Sequence, residues 1–161
     1  MVGMSTERVI AWGDEMRAVH ERLRQALDAA RDTIEAGGDA ASVARDIRLF
    51  CWGFCVALDG HHVSEDTALF PEIARQHPEL EPVIARLMQD HSMIAHLIRG
   101  VELALNSGDE PAVLLGHLDG IGAIMTSHFG YEERQLLGVL DTIEVSSTDA
   151  SPRRYFGPLA E

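Results

Sequence analysis

Eight histidines run through this chain: His20, His61, His62, His77, His91, His96, His117 and His128. Imidazole binds metal ions and moves protons near neutral pH, so the positions of these residues relative to carboxylates carry chemical information. A carboxylate four residues after a histidine lies one helical turn further along the same face, which lets both side chains reach one ion. His61/Glu65, His62/Asp66, His77/Glu81 and His128/Glu132 have this spacing. A random arrangement of 8 histidines and 26 carboxylates over 161 residues would give only about one such pair. The excess points to metal binding, but no single pair is specific. Pro78 lies inside His77/Glu81 and places that pair in a connection. The elements that carry the histidines must decide.

Apolar residues recur at three- and four-residue spacing almost throughout, and no segment alternates long enough to make a strand. The first helix is expected from Ser5 or Thr6, good capping residues, to about Glu35, with Gly37-Gly38 as its stop. A second starts near Asp39 or Ser42 and reaches about Arg75, with Pro71 kinking its last turns and His77-Pro78 closing it. A third spans about Leu80 to Leu105 and ends at Asn106-Ser107-Gly108; Pro111 opens a fourth that reaches about Ile143. Four long amphipathic helices with short connections make an all-α fold, an antiparallel up-down-up-down four-helix bundle over residues 1–144, with 145–161 as a polar C-terminal tail. Gly116, Gly120, Gly122, Gly130 and Gly138 all fall inside the last helix, where each costs about 1 kcal/mol relative to alanine. Close helix approach accounts for some of them.

In such a bundle, residues on successive helices share a level when their distances from the intervening connection match, at about 1.5 Å rise per residue. His20 lies 16 residues before Ala36, and His61 lies 19 after Ser42. His61 lies 14 before Arg75, and His91 lies 11 after Leu80. His91 lies 14 before Leu105, and His128 lies 16 after Ala112. One histidine from each helix therefore falls in a single mid-height layer, each within its helix's apolar stripe. Four inward imidazoles make a poor apolar core and a good metal site.

The expected ligand set is His20, His61, Glu65, His91, His128 and Glu132. His62 and Asp66 are rotated by about 100° from their neighbours, which suits an outer or solvated position. His96 lies well round the helix from His91, His117 is too far along the axis from His128, and Glu133 is expected as a solvated neighbour of Glu132. Four imidazoles and two carboxylates exceed what one tetrahedral zinc takes, so the site is expected to hold two ions. A mixed N/O set without thiolate suits iron first, with manganese or zinc behind it. Phe54, Leu58, Leu87, Ile94 and Ile124 are expected to wall the site against water while admitting a diatomic molecule or peroxide.

Composition excludes several other functions. The net charge is −13, which disfavours nucleic acid and anionic membranes as partners. All 13 basic residues are arginine, so chemistry that needs an ε-amine is absent. The apolar run from Leu49 to Leu58 is too short to span a bilayer, and the N-terminal residues lack a secretory pattern; a cytoplasmic protein is expected. Cys51 and Cys55 share one face of an apolar helix and read as buried free thiols, with a redox or outer-sphere role as the alternative.

With these residues in place, the sequence resembles the hemerythrin-like, or HHE cation-binding, family. The matching pieces are Val19-His20-Glu21, His61-His62-Val63-Ser64-Glu65-Asp66 leading to Leu69-Phe70-Pro71, Asp90-His91, and His128-Phe129-Gly130-Tyr131-Glu132-Glu133, together covering about Ala11 to Leu140. The resemblance implies a non-haem di-iron site bridged by Glu65, Glu132 and an oxo or hydroxo group, with His20, His61, His91 and His128 as terminal ligands. Oxygen-carrying members have a second histidine one turn after the third-helix histidine, where this chain has Ala95. Water, His62, Tyr131 or Tyr155 can fill that place. The functions left standing are binding or sensing of O2 or a related oxidant (NO, peroxide), turnover of peroxide or NO by a di-iron enzyme, and an iron-status or structural metal module.

Overall fold

The computed structural model describes residues 11–37, 40–143 and 151–160. Four long helices dominate: α1 (Trp12–Ala36), α2 (Ala40–Ser64), α4 (Glu81–Asn106) and α5 (Pro111–Leu140). Two shorter ones are α3 (Phe70–Gln76) and α6 (Pro152–Phe156). Helix α1 packs on α2 and α5, and α4 packs on α5 and α2, which closes the four long helices around one core. There is no strand among the described residues, and none of the helices there is long and apolar enough to cross a membrane.

The helical periodicity produces this arrangement directly. Met16, Val19, Leu23, Leu27, Ala30 and Ile34 recur at three- and four-residue steps along α1 and are all buried. Ile84, Leu87, Ile94, Ile98 and Val101 do the same on α4, as do Leu114, Leu118, Ile121, Met125 and Leu136 on α5. Each fully buried leucine contributes about 1.5–3 kcal/mol through removal from water. Gly37 ends α1 at φ 63°, a left-handed conformation that glycine adopts without steric cost. Pro111 is in the first turn of α5 as expected, where its missing N–H leaves no helical acceptor unpaired. The expected starts at Ser5 or Thr6 and at Asp39, and the Ser42 side chain, lie outside the described residues.

Between α2 and α3 the chain widens into a π-helical segment, Glu65–Leu69, in which the Phe70 N–H donates to the Glu65 carbonyl five residues back. Pro71 follows immediately and supplies no N–H to the ladder. The expected kink is thus a change of helical pitch, and it brings Leu69, Phe70 and Ile73 into the core.

The segment 145–161 is more than a polar tail in its described part. Residues 151–160 form α6 and a following turn, and Tyr155, Phe156 and Ala160 are buried against α1, α2 and the π segment. The Tyr-Phe pair was the apolar signal within an otherwise polar stretch. Among the α5 glycines, Gly122 has a packing reason, since a Cβ there would stand 3.0 Å from Leu27 Cδ2 of α1. Gly116, Gly120 and Gly138 face open space, and nothing in the structure explains them.

Candidate metal centre

The six residues expected as ligands converge at mid-height. His20 comes from α1, His61 from α2, Glu65 from the start of the π segment, His91 from α4, and His128 and Glu132 from α5; all six are buried. A seventh joins them, because His62 is 4% exposed and its ring stacks on His91 at 3.8 Å between centroids. The expectation that His62 turns outward is therefore corrected. A step of about 100° removes a residue from a narrow stripe but not from the wider inward sector of a bundle helix. His61 and His62 straddle that sector's midline: His61 faces His20 of α1, with centroids 5.2 Å apart, and His62 faces His91 of α4.

The donor atoms form two overlapping groups. His62, Glu65, His91 and His128 make one, and His20, His61, Glu65 and Glu132 the other, with the donor atoms in each lying within 4.8 Å of one another. Glu65 belongs to both: its Oε1 is 3.2 Å from His61 Nε2 and 3.5 Å from His91 Nε2. Glu132 also spans the two, with Oε1 3.5 Å from His20 Nε2 and Oε2 3.2 Å from His128 Nε2. Both carboxylates expected to bridge thus stand between the two groups.

Outer partners fix most of the imidazoles. His91 Nδ1 is 2.7 Å from Asp66 Oδ1, and His128 Nδ1 is 3.1 Å from Asp90 Oδ2. His61 Nδ1 donates to the Phe156 carbonyl at 2.8 Å; a carbonyl only accepts, so the proton sits on Nδ1 and the Nε2 lone pair points inward. His20 Nδ1 lies 3.5 Å from Glu133 Oε1, and Arg24 Nη2 approaches the other oxygen of Glu133 at 3.9 Å. Glu133 is therefore a partner of His20 rather than a solvated bystander. Asp90 and Phe156 were missed from sequence as outer partners, although the pair Asp90-His91 was in view.

Polar accounting inside the cluster fits a cation. His20 Nδ1 and Nε2, His61 Nε2, His62 Nε2 and both oxygens of Glu65 and Glu132 are buried without a well-directed hydrogen bond, and the His–Glu contacts among them are loose ones of 3.2–3.5 Å. At roughly 1–3 kcal/mol each, eight such atoms would consume the whole net stability of a typical domain, about 5–15 kcal/mol. His91 Nε2 and His128 Nε2 stand 3.0 Å apart. With Nδ1 of each ring donating to a carboxylate, the two facing lone pairs require a proton or a metal ion between them. Two nitrogens bound to one ion at about 2.1 Å and at right angles would be about 3.0 Å apart.

Protonation follows the same division. Burial and the neighbouring His20 push the His61 pKa down to about 3, and burial with His91 beside it holds His62 well below the usual range. Burial and the charge of Glu132 push Glu65 well above the usual carboxylate range. Burial opposes ionisation of Glu132 too, but the polar contacts with Glu65, His128 and His20 outweigh it and hold Glu132 well below. Burial likewise opposes the charged forms of His20 and His128, yet the acceptors Glu132 and, respectively, Glu133 and Asp90 raise both. In the metal-free chain, protons on His20 and His128 supply the positive charge that Glu132 needs.

The Hemerythrin HHE cation binding domain model matches residues 13–140. The chain belongs to the hemerythrin HHE family. No curated protein and no solved structure matched the chain. Within this hemerythrin-family bundle, the two tyrosines considered beside Ala95 have their rings packed on other side chains. Tyr131 lies under Arg86, whose Cζ is 4.2 Å from the ring centroid, and Tyr155 packs edge-on against Trp12 at 5.0 Å. His62 is the side chain that reaches the cluster.

Aromatic rings close the hemerythrin-family site more tightly than the expected aliphatic wall alone. Phe54, Leu58, Leu87 and Ile94 are buried as expected, and Ile124 partly so. Beyond them, Phe129 stacks on His20 at 3.8 Å, Phe70 on His91 at 5.5 Å and Phe156 on His61 at 6.4 Å. His96 is exposed, His117 lies beside Gly100, and His77 pairs with Glu79 at 3.2 Å, so these three stay outside the cluster. Cys51 and Cys55 are buried free thiols, also outside both donor groups.

Proposed function

We propose that this chain is a non-haem di-iron protein that binds or senses O2 or a related small oxidant, NO or peroxide. One ion is held by His62, Glu65, His91 and His128, the other by His20, His61, Glu65 and Glu132. The observation that carries this reading is the pair of overlapping donor groups around eight buried, unpartnered nitrogen and oxygen atoms. Iron is favoured over manganese and zinc because the donors are imidazoles and carboxylates, with no thiolate among them. When bound, iron supplies reversible electron transfer and positions for a small ligand.

The protein's own residues set what can reach that centre. Phe129, Phe70 and Phe156 pack against the donor histidines of this buried cluster, which favours small ligands over bulky ones. Three imidazoles serve one ion and two the other, so the small ligand is assigned to the His20/His61 side, where fewer protein donors compete. Turnover of peroxide or NO is the second reading, and Glu133 favours it. Its side chain is 22% exposed yet touches the buried His20, which gives protons a route between solvent and site.

The test is metal per chain, with the visible spectrum before reduction, after reduction and after return to air. Two irons per chain, with charge-transfer bands that bleach and return, are expected. A stable oxygenated species supports binding or sensing, and its decay with consumption of added peroxide supports turnover. One zinc per chain, or no metal with the fold intact, refutes the proposal.

A further inference from the structure

The segment 151–160 lies beyond the residues matched by the family model, yet it supplies an acceptor to a donor-group histidine. Resting on the di-iron reading, we propose that this segment is a clasp that positions His61 and so sets the hold on one metal ion of the two. The contact is specific in three ways. First, the Phe156 carbonyl receives the His61 Nδ1 proton at 2.8 Å, which fixes the tautomer and aims Nε2 at Glu65. Second, the backbone can come this close only because residue 157 is glycine. Gly157 has φ 88°, and a Cβ there would stand 2.8 Å from His61 Cα and N and 2.9 Å from the Gly60 carbonyl carbon. These are backbone atoms in a helix and cannot yield as the end of a flexible side chain would. Third, the clasp is tied down at several points. Arg22 Nη1 of α1 donates to the Leu159 carbonyl at 2.7 Å and Tyr155 packs on Trp12 of α1, while Arg153 Nε braces the segment internally by donating to the Ala160 carbonyl at 3.1 Å.

In the other donor group the ring partners among the described residues are Asp66 for His91 and Asp90 for His128, neither of them in the clasp. Loosening the clasp is therefore selective. It frees His61 to rotate and takes the Phe156 ring from beside it, while His91 and His128 keep Asp66 and Asp90; the other group feels the loss only through Glu65, which it shares and whose π segment packs on α6.

The experiment uses the iron-loaded chain, Gly157→Ala, a deletion of residues 151–161, and Gly116→Ala as the control, because nothing lies within 4 Å of a Cβ at Gly116. Helix content is followed by circular dichroism, and a strong ferrous chelator is used to time withdrawal of each ion. The clasp predicts two phases in Gly157→Ala and in the deletion, one ion leaving roughly 10–100-fold faster and the other changed far less, with helix content kept. A synthetic peptide of residues 151–161 added to the deletion variant slows the fast phase again. Release of both ions at the control rate from Gly157→Ala overturns the proposal. Equal acceleration of both ions does so too, because it marks a general stabiliser rather than a positioning element. If the deletion variant fails to fold, Gly157→Ala decides alone, and loss of the fold in Gly157→Ala counts against positioning. A parent chain that takes up no metal refutes the di-iron reading instead, a result seen before any variant is made.

Discussion

Replacing His62 by leucine should stabilise the metal-free chain and cancel or reverse that gain in the loaded one. Leucine is close to histidine in volume and keeps the apolar contact with the face of His91, on which His62 stacks at 3.8 Å. In the metal-free chain the substitution removes a buried Nε2 that has no partner, a gain of roughly 1–3 kcal/mol. For a domain of this size that raises Tm by about 2–12 °C. In the loaded chain the same substitution removes one of three imidazoles from its group. A 100-fold loss of affinity there takes away about 2.7 kcal/mol of metal-dependent stabilisation, so the net change in the loaded chain is about −1.7 to +0.3 kcal/mol. The assay is thermal and urea unfolding of matched metal-free and iron-loaded samples, with metal per chain measured alongside. His62→Leu should hold fewer than two ions, and His96→Leu should change neither quantity. Two ions per chain and an unaltered spectrum in His62→Leu would refute the assignment of His62 and return the place opposite Ala95 to water.

Metal uptake should release protons. The pKa values of His20 and His128 are raised above 6.5, so at about pH 6 together they carry more than one proton, which the metal must displace. Calorimetric titration in buffers of different ionisation enthalpy should show that release, with affinity falling as pH falls; affinity independent of pH between about 5 and 7 would contradict the protonation scheme. Asp90→Asn and Asp66→Asn should each weaken metal binding roughly 10–100-fold in the group that contains His62, His91 and His128, read by competition with a chelator of known affinity. Burial pushes the thiols of Cys51 and Cys55 up to about 11 and about 12, so alkylation at pH 8 should be slow in the folded protein and complete in urea. Rapid alkylation of the native chain would show that α2 opens readily.

Much of this molecule was legible from residue spacing, for reasons that differ from part to part. The four long helices follow from periodic apolar positions, and Gly37 and Pro111 mark ends because each has a fixed backbone preference. His20, His61, His91 and His128 could be placed in one layer because helical rise turns residue counts into heights. His62 was misjudged because a rotation angle says where a side chain leaves the helix, whereas its burial depends on how wide a sector the neighbouring helices cover. The outer partners were harder for another reason. Glu133 looks like any carboxylate beside Glu132 until α1 brings His20 within 3.5 Å of it. The Phe156 carbonyl belongs to the backbone, which has no residue type to read.

The contacts of α6 also bear on the order in which the molecule is assembled. The His61–Phe156 hydrogen bond joins residues 95 apart, and the Arg22–Leu159 bond joins residues 137 apart. The four long helices pack through many contacts that do not need α6, so the bundle can close around an incomplete His20/His61 group before α6 docks. Long-range contacts of this kind pay their loop-closure entropy late and tend to be the first to open in local fluctuations. An ion captured early would therefore settle first with His62, His91 and His128, and the His20/His61 group would be completed only once the Tyr-Phe-Gly segment docks.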